Sequence, residues 1–309
     1  MDKIVFFSST QFGAGILATL LNSKYEVVAV VTRSDKVRGR GNKVVSTPVK
    51  SLALEHDIDV LEYDKVGEAE AEILKKYNAD FFLVVAYGCI LPQIILDIPK
   101  VDSINIHASL LPHLRGASPI ETAIKLGDKN TGISYIKMIK SLDAGDIYIK
   151  HELEINCGET FDSLNAKLLD LSKKTVVDAL DAIKDGLVPR PQGEEYSYAE
   201  KITKESCEID FENDAIDIVN HINSLDSHIG AYAFKDDERY KLFGASLGNL
   251  KLNIGEVDTT NGIEIGAKNG SVKLARIQAP GKKIMNVEDF LRGNKLEGSF
   301  AKKKQQENK

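Results

Sequence analysis

The sequence predicts an α/β fold, with a mostly parallel sheet domain followed by a small β-barrel or sandwich. Three observations predict it. Short apolar runs alternate with amphipathic stretches through the first half, as in a parallel sheet covered by helices on both faces. The run from Asp80 to Tyr87 carries too few polar residues for a sheet wetted on one side. Beyond Cys207, short alternating segments are punctuated by turn residues such as Asn261-Gly262 and Asn269-Gly270. The length of 309 residues suits two domains better than one. The expected division is 1–188, a linker over 189–206, and 207–309.

In chain order, Ile4–Phe7 reads as a strand, Gly15–Leu21 as a helix and Val27–Val31 as a second strand. A loop rich in glycine and cations follows. Thr47-Pro48 then has the N-cap and first-turn chemistry that starts a helix. Val49, Leu52 and Ala53 give that helix one apolar face. Glu68–Tyr77 is a further helix and Asp80–Ala86 a buried strand. After His107 the spacing predicts a short helix at Pro119–Leu126 and strands at Gly132–Met138 and Ile147–Ile155. A long helix runs from Thr160 to Ile183. Proline and glycine between Leu187 and Gly193 mark the linker. The second half offers a helix at Asn213–Ser224 and strands at Tyr240–Ala245, Leu250–Ile254, Gly262–Ala267 and Ser271–Gln278. The polar tail, Ala301–Lys309, is expected to be disordered.

Composition is that of an ordinary globular chain, 43% hydrophobic and 28% charged. Cys89, Cys157 and Cys207 show no paired spacing, which argues for a reducing compartment and against structural zinc. Met1-Asp2-Lys3 runs directly into a strand, and no apolar run nears the roughly 20 residues of a membrane span. A cytoplasmic protein without membrane attachment is expected. The net charge of −6 lowers the prior for nucleic-acid binding, but a phosphate backbone responds to local patches. Thr32–Lys43 holds five cations against the single acid Asp35, and Ser271–Lys283 holds four against none. Gly39 and Gly41 flank Arg40, which suits a loop that orders on a phosphate partner.

Gly13-Ala14-Gly15 with Ala18 matches a dinucleotide fingerprint, and Asp35 lies where a ribose-binding acid would sit. Five residues separate the strand from Gly13, so the glycines are expected inside the helix, serving helix–sheet packing. Asn105 and His107 are two apart, and extended backbone puts both side chains on one side. With a carboxylate such as Asp143 within folding distance, an amide and an imidazole can stabilise an oxyanion and move a proton. Asp143 and Asp146 lack a third ligand nearby, so no metal is expected.

Asn105-Ile106-His107-Ala108-Ser109-Leu110-Leu111-Pro112 and Ser141-Leu142-Asp143-Ala144-Gly145-Asp146 resemble motifs of the folate-dependent formyltransferase superfamily. The basic stretch Arg38–Lys43, the Arg115–Ile120 segment and Leu274–Lys283 resemble the methionyl-tRNA formyltransferases within it, nearly end to end. That resemblance implies a Rossmann-like domain binding 10-formyltetrahydrofolate and a small OB-like β-barrel that helps hold tRNA. It implies catalytic roles for Asn105, His107 and Asp143, and a folate site lined by Ser109, Leu110, Leu111 and Pro112 with Tyr87 and Gly88. Arg38, Arg40, Lys43, Lys282 and Lys283 would contact tRNA. The implied reaction moves a formyl group to the α-amine of methionine on initiator tRNA, producing formylmethionyl-tRNA for translation initiation, and a monomer is expected. A nucleotide-sugar N-formyltransferase would share the donor and the trio, but a small sugar nucleotide needs no basic inserted loop. A catalytically idle tRNA- or folate-binding module would not need the trio.

Overall fold

The apolar runs of the first half assemble into one sheet. The computed structural model describes residues 1–38 and 43–302. Its elements begin β1 (Lys3–Ser8), α1 (Gln11–Leu21), β2 (Glu26–Thr32), β3 (Lys36–Arg38), β4 (Lys43–Val45), α2 (Pro48–Glu55), β5 (Asp59–Glu62), α3 (Glu68–Lys75) and β6 (Phe81–Val85). Next are α4 (Gln93–Leu96), β7 (Asp102–His107), β8 (Arg115–Gly116), α5 (Pro119–Leu126), β9 (Asn130–Lys137), β10 (Ile147–Glu154), α6 (Phe161–Lys184) and β11 (Tyr198–Ala199). The seven-stranded sheet runs β10-β9-β7-β6-β1-β2-β5. Pairs β1–β2, β2–β5, β1–β6 and β6–β7 are parallel, and β7–β9 is antiparallel. Strand order reverses between β1 and β6, and ligands of such sheets bind outside the carboxyl ends of the strands near that point.

The chain forms two compact units. The first is Met1–Gly116, Thr131–Leu153 and Ala166–Tyr198; the second is Ala117–Asn130, Glu154–Asn165 and Ala199–Lys309. Within the first, β6 is buried along its whole length, and its Phe82 and Val84 join Val5, Phe7, Ala29, Val31, Leu74 and Tyr87 in one core. Arg190 and Ser197, in the region of the expected linker, hydrogen-bond within this unit, to Ile147 and Arg115.

Local chemistry explains where the helices start. The helix predicted from Gly15 begins earlier, at Gln11, because Thr10 caps it and accepts from the Gly13 amide at 3.2 Å. Gly13 and Gly15 therefore fall inside α1, as their offset from the strand predicts. A Cβ on Gly13 would lie 1.8 Å from Ser8 Oγ, and one on Gly15 would lie 2.9 Å from the Leu169 methyls of α6. Both glycines permit close packing, and Asp35 is committed to Lys50 at 2.8 Å. Thr47 caps α2 as expected, accepting from Lys50 N at 3.3 Å, with Pro48 in the first turn.

The second unit adds a short 3-10 turn at Glu205–Cys207, α7 (Ala215–Ser224), β12 (Ala231–Lys235), β13 (Glu238–Leu247), β14 (Val257–Asp258), β15 (Ile263–Ala267), β16 (Gly270–Gln278), β17 (Met285–Asn286) and α8 (Val287–Gly293). Its six-stranded antiparallel sheet runs β12-β13-β16-β15-β14, with β17 beside β16. Residues 298–301 join the two edge strands. Val257 N donates to Gly298 O at 3.0 Å, and Ala301 N donates to Phe234 O at 2.8 Å. The sheet thereby closes on itself, which leaves neither edge bare. Ala301, expected to open a disordered tail, is part of this closure; residues 303–309 lie outside the described residues.

Leu250–Ile254, expected as a strand, is not one. The amides of Asn249 and Leu250 donate to Glu264 Oε1 at 2.7 and 2.6 Å, so the donors a ladder would need go to a carboxylate. Among the described residues no helix is long and apolar enough to cross a membrane. Replacing Thr47 by Ala should lower the unfolding free energy in urea by about 1 kcal/mol, whereas Thr47→Ser, which keeps the capping oxygen, should stay near wild type. Equal losses in the two variants would assign the cost to the methyl group.

Candidate active site

Strand alternation on β7 turns Ile104 and Ile106 into the core, both under 5% exposed, and sends Asn105 and His107 to the opposite face. His107 ends the strand and pairs with Ser134 on β9. Asp143 sits in the turn between β9 and β10 with a φ of 50°, a left-handed conformation that aspartate tolerates better than most residues. The turn leaves no room on its β9 side, where a Cβ on Gly145 would lie 1.8 Å from Lys137 O.

The structure brings Asn105, His107 and Asp143 together within the first unit. Asn105 Nδ2 donates to Asp143 Oδ1 at 3.1 Å. Gly116 N donates to Asp143 Oδ2 at 2.9 Å, and His107 Nδ1 stands 3.6 Å from the same oxygen. The other ring nitrogen of His107 lies 2.8 Å from Leu114 O. A carbonyl can only accept, so Nε2 carries a hydrogen and Nδ1 is the nitrogen turned toward the acid. His107 is 5% exposed and Asp143 9%, while Asn105 is half-buried. A carboxylate so buried persists because donors satisfy its oxygens.

The loop after β7 is tied down along its length. Ser109 Oγ donates to His113 O at 2.6 Å. Ser134 Oγ donates to Ser109 O at 2.7 Å and accepts from Leu111 N at 3.1 Å. Leu111 is fully buried, whereas Leu110 and Pro112 are half-exposed beside it. Beyond β6, Ala86 and Gly88 adopt positive φ and turn the chain sharply. Arg33 pins this turn by donating to Gly88 O at 2.8 Å. The Tyr87 ring packs edge-on against Phe7 and its hydroxyl donates to Tyr63 O at 2.9 Å, while burial pushes its phenol well above the usual range. Its side chain is thus a core group and does not line a site.

Of the five cations expected at tRNA, Arg40 lies outside the described residues. Arg38 and Lys43 are described as backbone partners in the β3–β4 hairpin, which sequence reading took for a plain loop. Lys282 and Lys283 are exposed in the turn after β16, where Lys282 N donates to Ala279 O at 3.1 Å. Two groups at the acid escape sequence reasoning. The Gly116 amide has no side chain to signal it, and Gln192 is a single glutamine among prolines read as linker. Gln192 Nε2 donates to the backbone carbonyls of Asp143 and Gly145 at 2.8 and 2.7 Å.

Ser134→Ala leaves the buried Leu111 amide without its acceptor, which should cost about 1–3 kcal/mol and speed hydrogen exchange at Leu111. Unchanged exchange there would remove Ser134 from the loop's support.

Comparison with known proteins is consistent along the chain. Residues 2–180 match the family model for formyl transferase, and residues 201–295 match that for the formyl transferase C-terminal domain. A methionyl-tRNA formyltransferase from Sulfurihydrogenibium sp. is 40% identical over 303 residues, covering 95% of this chain and 97% of that protein. Its counterpart from Thermotoga maritima is 39% identical over 290 residues, covering 92% of each. Two solved structures share the fold at 18% identity. They are a methionyl-tRNA formyltransferase from Clostridium thermocellum (TM-score 0.56, covering 89% of this chain and 99% of that one) and an N-formyltransferase from Helicobacter canadensis in complex with folinic acid and dTDP-3-aminofucose (TM-score 0.66, covering 91% and 99%). With a family model spanning more than half its length and relatives of 39 and 40% identity along nearly all of it, the chain belongs to the formyl transferase family, among the methionyl-tRNA formyltransferases.

Proposed function

We propose that the chain transfers a formyl group from 10-formyltetrahydrofolate to the α-amine of methionine on initiator tRNA, with Asn105, His107 and Asp143 as the reacting groups. The observation that carries this reading is the carboxamide, imidazole and carboxylate converging at the end of β7 in a chain whose relatives carry that name along nearly their whole length. The relationship also favours tRNA over an amino-sugar nucleotide as acceptor. Each chain is proposed to act alone, since the trio and the groups that hold it come from one chain.

The donor is consumed in every turnover and counts as a substrate. Ser109, Leu110, Leu111 and Pro112, with the Tyr87-Gly88 backbone, are proposed to line its site. Half-exposed Leu110 and Pro112 beside polar main chain suit a flat heterocycle with hydrogen-bonding edges. The fold relative in complex with folinic acid supports that choice.

The amine needs no protein nucleophile. Its pKa in peptides is about 7.7–8.0, so an appreciable fraction is neutral at physiological pH. One Asn105 N–H is held by Asp143, which leaves the second to donate to the formyl oxygen as negative charge develops there. His107, when protonated at Nδ1, supplies another donor from the same face. As the new C–N bond forms, Asp143 accepts the proton the amine sheds. As the old C–N bond breaks, that proton passes to the departing nitrogen. Exposed Lys282 and Lys283, together with Arg38, Arg40 and Lys43, are proposed to contact tRNA phosphates.

Offered a labelled formyl donor with charged initiator tRNA, charged elongator tRNA and an amino-sugar nucleotide, the chain should label methionine on the initiator. Label on the sugar alone would overturn the acceptor assignment. Asn105→Ala should lower kcat by about 10²–10³ with donor binding little changed, and a near-normal rate would dismiss the oxyanion role. Replacing both Lys282 and Lys283 by Ala should flatten the dependence of log affinity for tRNA on log salt by roughly 0.9 per lost phosphate contact. An unaltered slope would clear these lysines of contact.

A further inference from the structure

We infer that Gln192, held by Arg115, is a positioning residue that fixes the backbone of the Asp143 turn and through it the Asp143 carboxylate. The inference rests on the formyl-transfer reading above. Gln192 spends its whole amide on this task. Its Oε1 accepts from Arg115 Nε and Nη2 at 2.9 and 2.7 Å, and its Nε2 donates to Asp143 O and Gly145 O at 2.8 and 2.7 Å. A guanidinium only donates and carbonyls only accept, so the amide has one possible orientation.

Arg115 is itself immobilised. It is 7% exposed, its guanidinium carbon lies 4.4 Å from the Tyr196 ring centre, and its amide donates to Ser197 O at 2.9 Å. The Arg115-Gly116 pair thus grips Asp143 twice: its side chain acts through Gln192 on the backbone, and the Gly116 amide acts on the carboxylate at 2.9 Å. On the other side the turn is stopped by Lys137 O, 1.8 Å from where a Gly145 Cβ would be. The plainer account is that Gln192 only satisfies a buried arginine.

Glutamate separates the two accounts. Gln192→Glu gives Arg115 a charged partner but turns a group without donors toward two carbonyls. In steady-state formyl transfer, Gln192→Ala should lower kcat about 10–100-fold while KM for the formyl donor moves less than about threefold. Gln192→Glu should be no better. Against an Asp143→Ala background the Gln192 change should add no further loss, as expected of a residue acting through that acid. Gln192→Met, which keeps the side-chain length, replaces the alanine variant if the latter does not fold. A kcat within about threefold of wild type in Gln192→Ala or Gln192→Met, full activity in Gln192→Glu, or losses that multiply in the double variant would each overturn the brace. An active wild type beside an unimpaired Gln192 variant overturns the brace alone and leaves the reaction standing.

Discussion

The Asp143 carboxylate is the constraint on which the site depends. It is nine-tenths buried, and groups from separate stretches of chain converge on it: the Asn105 amide and the Gly116 backbone donate to its oxygens, and His107 Nδ1 stands 3.6 Å away. A charge removed from water is tolerated only where such donors replace its hydration. The site therefore exists only when β7, β8 and the β9–β10 turn are all in place. No short segment can form it alone, because the partners lie 27, 36 and 38 residues from Asp143 in sequence.

That carboxylate also orders its neighbours. By taking one N–H of Asn105 it fixes the amide plane, so the remaining N–H has a defined direction. The Leu114 carbonyl does the same for the imidazole by engaging Nε2 at 2.8 Å. Leu114 can present that carbonyl because its φ is 60° and its own amide is held by Ser197 Oγ at 2.9 Å. Donor directions set before substrate arrives need no reorganisation when charge develops, which is where preorganised dipoles gain over water.

Much of this was legible in the sequence because it rests on local signals. The run through Phe81–Val85 could only be a strand buried on both faces, Thr47-Pro48 could only open a helix, and the offset of Gly13 placed it inside one. The trio was legible from strand alternation and residue chemistry. What was not legible depends on distant partners. Asp59–Glu62, a short segment of mixed polarity, is placed at the sheet edge only by its pairing with the buried strand β2. Leu250–Ile254 has an apolar character that fits a strand, but Glu264 on β15 captures the amides of Asn249 and Leu250 where it would begin. Gln192 looks like any polar residue between prolines, since nothing local says that its amide must face a buried arginine and two carbonyls.

The tolerance of this site to change follows from how closely backbone meets backbone around it. Along the hairpin that ends in the acid's turn, β9 and β10 approach so tightly that a Cβ on Gly132 would lie 2.0 Å from His151 O. Gly145 is confined in the same way against Lys137 O. At such positions even one methyl group must move main chain, and a shift of the β9–β10 turn is a shift of Asp143. The exposed His113 side chain differs in kind: its ring meets Ser197 Oγ through Nδ1 at 2.7 Å. Other polar groups can replace such contacts without moving the strands. Sequence can therefore drift at the loop tips while the pairing of Asn105 with Asp143 keeps its geometry, because the tips and the acid are held by different kinds of contact.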